Sequence, residues 1–166
     1  MIEFTKRFRE RFDLSAANAV EEIYSKYFTG LIDEKVRVSY TSSNVWGKAD
    51  IESNTILLKR ITRHTIAHEL MHLAQYNQRN GIPQGERACD VYTCALGPDV
   101  IDNVFYILTH RAPAEIIHES CREAIGKRRE GMRNYIQYAE NRMRESMRAR
   151  SASERIFGSF MLQNLK

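Results

Sequence analysis

The feature that most restricts the fold of this chain is the run HTIAHELMH at residues 64–72. His64, His68 and His72 recur at intervals of four residues, which on an α-helix places them on roughly one face, one turn apart. Apolar residues fill the positions between them and continue the helical spacing on both sides of the run. The pattern therefore predicts a long helix over residues 62–79 with a histidine-bearing face.

Only one adjacent pair of these histidines can share a metal ion. Residues four apart lie about 6 Å apart along a helix axis, whereas His64 and His72 would lie about 12 Å apart. Glu69 distinguishes the two pairs. It lies between His68 and His72, whereas no acidic residue lies between His64 and His68. The stretch from His68 to His72 is thus an H-E-x-x-H motif. It predicts His68 and His72 as metal ligands and leaves His64 as a surface or outer histidine.

The residue types in this motif point to zinc-dependent hydrolysis. Zinc held by neutral ligands lowers the pKa of a bound water towards about 7. Glu69 lies about 100° round the helix from His68, where it can take the proton of that water as a general base. A catalytic zinc also needs a third protein ligand, for which Glu86, Asp90 and His118 compete. Glu86 is favoured among them because it follows a short turn that can fold a second helix back across the first.

Residues 35–96 resemble the gluzincin group of zinc metallopeptidases. In that group a second helix carrying E-x-x-x-D follows H-E-x-x-H, and Glu86 and Asp90 match these two positions. The resemblance implies that Glu86 is the third zinc ligand. It also implies that Asp90 hydrogen-bonds the far ring nitrogen of His68, which fixes the tautomer of that ligand.

The number of residues between the two motifs indicates which gluzincins the chain resembles more. Thirteen residues separate His72 from Glu86, fewer than in thermolysin-like enzymes. The chain is therefore more similar to the small minigluzincins and to anti-repressor-cleaving peptidases, whose E-x-x-A-x pattern the run ERACDVYTCAL partly follows. The metzincin extension is not matched, because Gln75 and Gln78 stand where that pattern requires Gly and His.

Hydrophobic periodicity gives an α+β class with a small antiparallel sheet, a long helix and a helical C-terminal half. The resemblance implies that this is a zincin-like domain and that the long helix is its active-site helix. We expect a zincin-like metallopeptidase domain over residues 1–120 and an arginine-rich helical extension over 121–166, packed on or continuing the same domain. The individual predicted elements are helices in 3–28, two or three short antiparallel strands in 35–59, a helix over 84–96, and helices from 100 onward with a break near 111–113.

Composition and cysteine usage indicate the surroundings of the protein. Apolar residues make up 43% of the chain and charged residues 28%, which is typical of a soluble globular protein. No apolar run approaches the ~20 residues of a membrane span, and the charged first residues do not resemble a signal peptide. Cys89, Cys94 and Cys121 are odd in number and form no CxxC. We therefore expect a cytoplasmic protein that does not associate with membranes.

The resemblance implies a peptide or protein substrate held as an added strand at a sheet edge beside the active-site helix, and the run TILLKR could supply that edge. The oxyanion partner is expected from the C-terminal half. His110 and Arg111 are favoured because they lie at the predicted helix break, and we take His110 as the second catalytic residue. Tyr106 and His118 are the other candidates.

The segment 121–150 is rich in arginine and carries nine basic and four acidic residues. Because Arg and Glu alternate as on a solvated helix face, a docking or oligomer contact is favoured over nucleic-acid binding. A third possibility is that this segment is an autoinhibitory tail lying across the zinc cleft.

The sequence as a whole predicts a zinc-dependent metallopeptidase in which a metal-activated water attacks the peptide bond. The alternative is a catalytically weak zincin-fold protein with a regulatory or nucleic-acid-associated role, and the presence of both Glu69 and Glu86 favours the enzyme.

Overall fold

The computed structural model describes residues 1–77, 80–102 and 112–164, with side chains as far as residue 153. Within these ranges the chain is α+β, as predicted, with one four-stranded sheet and six α-helices. The strands are β1 (Ile2–Phe4), β2 (Val36–Tyr40), β3 (Gly47–Asp50) and β4 (Thr55–Leu58). The helices are α1 (Lys6–Arg11), α2 (Leu14–Ile23), α3 (Arg63–Tyr76), α4 (Glu86–Cys94), α5 (Ala114–Arg129) and α6 (Tyr135–Asn164).

The sheet is mixed, so the prediction of a small antiparallel sheet was wrong. The strand order is β1-β2-β4-β3, with β2 parallel to both β1 and β4, and only the β3–β4 hairpin is antiparallel. The chain leaves β2, forms β3 one position further out, and returns as β4 between them. Ile56 of β4 accordingly pairs with Val38 on one side and Ala49 on the other. Strand spacing along the sequence cannot reveal this insertion, because it depends on non-local pairing.

The edge strand that packs beside α3 is β3, and not the run TILLKR that the sequence offered for this edge. Thr55–Leu58 instead forms the interior strand β4, and three of its four side chains are buried. In the described part of the chain no strand pairs with the outer side of β3. The sheet therefore offers its free edge at Gly47–Asp50.

The predicted helical segment at residues 3–28 is only partly helical. It begins with β1, which pairs in parallel with β2 from Ile2↔Val36 onward. The Thr5 side chain then accepts a hydrogen bond from the Phe8 amide and caps α1, and Asp13 caps α2 in the same way. A strand of three residues is too short to show an alternating pattern of its own. The sequence therefore does not distinguish β1 from the helix that follows it.

Helices α3 and α4 form where the sequence predicts them. The Thr62 side chain accepts a hydrogen bond from the Thr65 amide and starts α3, whose inner face is buried. Gly85 precedes α4 with φ +102°, a left-handed conformation that strains any residue with a Cβ. The turn before Glu86 can therefore be sharp, and α4 packs back against α3.

Two hydrophobic clusters meet at α4. The first lies between the sheet, α2 and α3 and includes Cys89, while the second joins α4 to α5 and α6 and includes Val91 and Cys94. Helix α5 runs continuously across the boundary predicted between the domain of residues 1–120 and the extension of residues 121–166. None of the helices in the described ranges is both long and apolar enough to span a membrane.

Candidate metal centre

The second and third histidines of the run face one another from successive turns of α3. Their Nε2 atoms lie 3.1 Å apart, and the two rings stand edge to face at 85°. Both side chains are mostly buried, with 17% of their surface exposed. A helix alone gives this approach, since residues at i and i+4 are neighbours on one face. His68 and His72 therefore present two nitrogen donors to one point beside α3.

Glu86, the first residue of α4, completes a triangle with these two nitrogens. Its Oε2 lies 3.3 Å from the Nε2 of His68 and 3.3 Å from the Nε2 of His72. Tetrahedral zinc with ligands at ~2.0–2.1 Å requires its donor atoms to lie roughly 3.3–3.4 Å apart. Two edges of the triangle measure 3.3 Å and the third, between the two histidine nitrogens, measures 3.1 Å. The residues present therefore fit three of the four positions around a tetrahedral zinc ion.

Asp90 lies one turn beyond Glu86 and contacts the opposite side of the first ligand. Its Oδ1 is 2.9 Å from His68 Nδ1 and accepts the proton of that nitrogen. The hydrogen bond leaves His68 Nε2 free to bind metal. Burial lowers the pKa of the His68 imidazole, but the Asp90 carboxylate and Cys89 raise it by more, to about 11. The Asp90 carboxylate thus makes the ring more basic, and a zinc ion would have to displace the proton that a ring of this pKa holds on Nε2 near neutral pH.

Cys89 is a competing third ligand by proximity. One donor atom from each of His68, His72 and Cys89 lies within 4.8 Å of the other two. The Cys89 thiol, however, donates to the main-chain oxygen of His68 at 3.3 Å, and its burial raises the pKa of the thiol. Because only a thiolate binds zinc, both observations favour Glu86 as the third ligand.

Neither of the other described histidines is part of the triangle, although one ligand atom of His64 lies within 4.8 Å of ligand atoms of His68 and Asp90. His64 is only 14% exposed, and its Nε2 lies 4.0 Å from Asp90 Oδ1, so it is behind the centre and not on the surface. The Nδ1 of His118 lies 3.1 Å from the main-chain oxygen of Cys94, at the far end of α4 from Glu86. His110, the predicted second catalytic residue, lies outside the described residues, as do Arg111 and Tyr106.

Glu69 lies beside the triangle on α3 and is 6% exposed. Burial raises the pKa of its carboxyl to about 7, and the Ala49 amide of β3 donates a hydrogen bond to it. An amide that donates to Glu69 cannot also donate to β4, so the carboxylate lies at the free edge of the sheet. A carboxyl group with this pKa can take up and release a proton near neutral pH.

Two residues of the site were not predicted from the sequence. Gly47 of β3 packs directly on Glu69, and Gln75 hydrogen-bonds the ring of His72. Gln75 had been used only to exclude the metzincin pattern, although it lies three residues after His72 and so shares its helix face. For Gly47 the only signal was a glycine inside a strand pattern, which often marks a close approach of another group.

No protein-family model, no curated protein and no solved structure matches this chain.

Proposed function

We propose that this chain is a zinc-dependent metallopeptidase of the gluzincin kind, with a zincin-like fold. The observation that carries the proposal is the triangle formed by His68 Nε2, His72 Nε2 and Glu86 Oε2, whose edges measure 3.1, 3.3 and 3.3 Å. These are the donor types and separations of a two-histidine, one-carboxylate zinc site. Glu69 beside them supplies the proton acceptor that hydrolysis needs.

Each residue of the proposed site has its own role in the reaction. When bound, zinc would act as the Lewis acid for water and for the scissile carbonyl. Glu69 takes the proton of the attacking water and passes it to the leaving amine. Its burial supports this exchange, because it brings the pKa of the carboxyl to about 7. Asp90 holds His68 in the orientation that the site needs.

The free edge of β3 suggests how a peptide would be held. An extended peptide can pair with the outer side of Gly47–Asp50 through main-chain groups other than the Ala49 amide, and such hydrogen bonds tolerate many side chains. The Glu69 carboxylate already contacts the Ala49 amide at this edge. A peptide added there would run past the general base, so the edge and the centre support the same substrate class.

The experiment that tests the proposal compares zinc content and peptide cleavage in matched variants. Wild-type protein should hold about one zinc per chain. Glu86→Ala should lose it, because one of three protein ligands is gone. Glu115→Ala is the control, since Glu115 is also an exposed glutamate in the first turn of a helix. Cleavage is read by mass spectrometry on a mixture of unstructured peptides.

Further outcomes separate the proposal from its alternative. His72→Ala should release zinc and His64→Ala should retain it. Full retention of zinc in both Glu86→Ala and His72→Ala would refute the site. A chain that binds zinc through the triangle but cleaves no peptide would instead support a zinc-binding regulatory protein.

A further inference from the structure

The side-chain amide of Gln75 lies between the second histidine and the loop that leads into α4. Its Nε2 donates to the main-chain oxygens of Pro83 at 2.6 Å and Gly85 at 3.2 Å. Its Oε1 lies 2.9 Å from Nδ1 of His72. The side chain is 4% exposed, so these three partners take the place of water. One buried amide thus contacts two parts of the proposed centre.

The chemistry of these partners fixes the direction of each hydrogen bond. Main-chain oxygens only accept, so the NH2 group of Gln75 must face Pro83 and Gly85. The amide oxygen must then face His72, and since that oxygen only accepts, Nδ1 of His72 carries the proton. The other ring nitrogen, Nε2, keeps its lone pair and points into the triangle. The loop therefore determines the tautomer of His72 through Gln75.

We infer that Gln75 is a positioning residue that holds His72 and Glu86 in register for one zinc ion. This inference rests on the proposed function. Gly85 is the residue immediately before Glu86, so the hydrogen bond to its oxygen fixes where α4 begins. Asp90 orients His68 from α4, and Gln75 orients His72 from α3. Each histidine ligand therefore has its own partner, and one of the two partners also anchors the third ligand.

The first test measures zinc affinity by competition with a chelator. Gln75→Met keeps the length of the side chain and removes both polar groups. Zinc should bind about 10–100-fold more weakly, as is usual when a partner of a metal ligand is lost. Gln84→Met is the matched control, because the same substitution is made at an exposed position of the same loop, and its affinity should equal that of the wild type. Circular dichroism and the melting temperature of the metal-free variants report on the fold separately.

The second test reads the tautomer directly. In zinc-loaded wild type, the Nδ1 protons of His68 and His72 are both held by buried acceptors and should give slowly exchanging proton NMR signals. Gln75→Met should lose the His72 signal and keep that of His68, which Asp90 holds. Gln75→Glu retains an oxygen towards His72 but turns a second oxygen towards two carbonyls. It should keep the His72 signal and still bind zinc more weakly.

The outcomes distinguish this inference from the proposal on which it rests. If Gln75→Met binds zinc as tightly as the wild type while Glu86→Ala and His72→Ala release it, the inference is wrong and the zinc site stands. If Gln75→Met does not fold, Gln75→Glu decides through the same two measurements. A wild-type chain that takes up no zinc overturns both.

Discussion

The Glu69 carboxylate occupies the space in which a side chain at Gly47 would begin. A Cβ at Gly47 would lie 2.6 Å from Glu69 Oε1 and 2.8 Å from Glu69 Cγ. The Thr65 methyl carbon is almost as near, at 2.9 Å. The edge strand β3 therefore approaches α3 as closely as it does because residue 47 has no side chain.

The variant Gly47→Ala should move the Glu69 carboxylate without removing any ligand. Zinc content should stay at the wild-type level, whereas kcat/KM should fall by roughly 100-fold, the cost of misplacing a reacting group by about 1 Å. Gly126→Ala is the control, because a Cβ there meets nothing within 4 Å. Equal activity in both variants would show that the contact between Gly47 and Glu69 is unimportant for catalysis.

The variant Glu69→Gln should separate metal binding from hydrolysis. The amide has nearly the same shape but cannot accept the proton of the attacking water, so cleavage should fall by about 10²–10⁴-fold. Zinc content, measured by elemental analysis, should not change, because Glu69 lies outside the triangle. Undiminished cleavage by this variant would exclude Glu69 as the general base.

The variant Met143→Ala should test whether the arginine-rich segment is part of the folded core. Met143 lies in the first half of α6 and is completely buried against α4 and α5. Truncation should lower the free energy of unfolding by about 2–5 kcal/mol in urea denaturation. The half-buried Met147 in the same helix is the comparison, and Met147→Ala should cost less. A negligible effect at Met143 would indicate that α6 does not contribute to the core.

The variant Asp99→Asn should remove an acid-sensitive part of the stability. Burial raises the pKa of the Asp99 carboxyl, but hydrogen bonds from Tyr27, Lys26 and Arg63 lower it by more, to about 2. Because the folded-state pKa lies below the ordinary 3.8, this stabilisation is present above pH 3.8 and is lost as the pH falls towards 2.

Thermal melting over a series of pH values checks this prediction. Wild type should melt at a higher temperature than Asp99→Asn near neutral pH, and the difference should close between pH 3.8 and about 2. The exposed Glu52→Gln serves as a control for the loss of a charge on the same fold. A difference that stayed constant down to pH 2 would mean that ionisation of Asp99 does not stabilise the native state.

Local patterns in the sequence predicted the two helices that carry the candidate site. The distances among His68, His72 and Glu86 agree with the ligand set inferred from H-E-x-x-H and the resemblance, although metal binding itself stays a prediction. The order of strands was not predictable, because the insertion of β4 between β2 and β3 depends on pairing between distant residues. Gln75 was missed for a similar reason, since its partners Pro83 and Gly85 lie across a turn whose path no local pattern determines.

Helix α4 contributes to both hydrophobic clusters, and this sharing limits how the protein can evolve. Cys89 packs towards the sheet, whereas Val91 and Cys94 pack towards α5 and α6. Recombination that exchanged the C-terminal helices for another module would leave an apolar face of α4 in water, on the same short helix that begins with Glu86. The two halves of the chain are therefore expected to be inherited together.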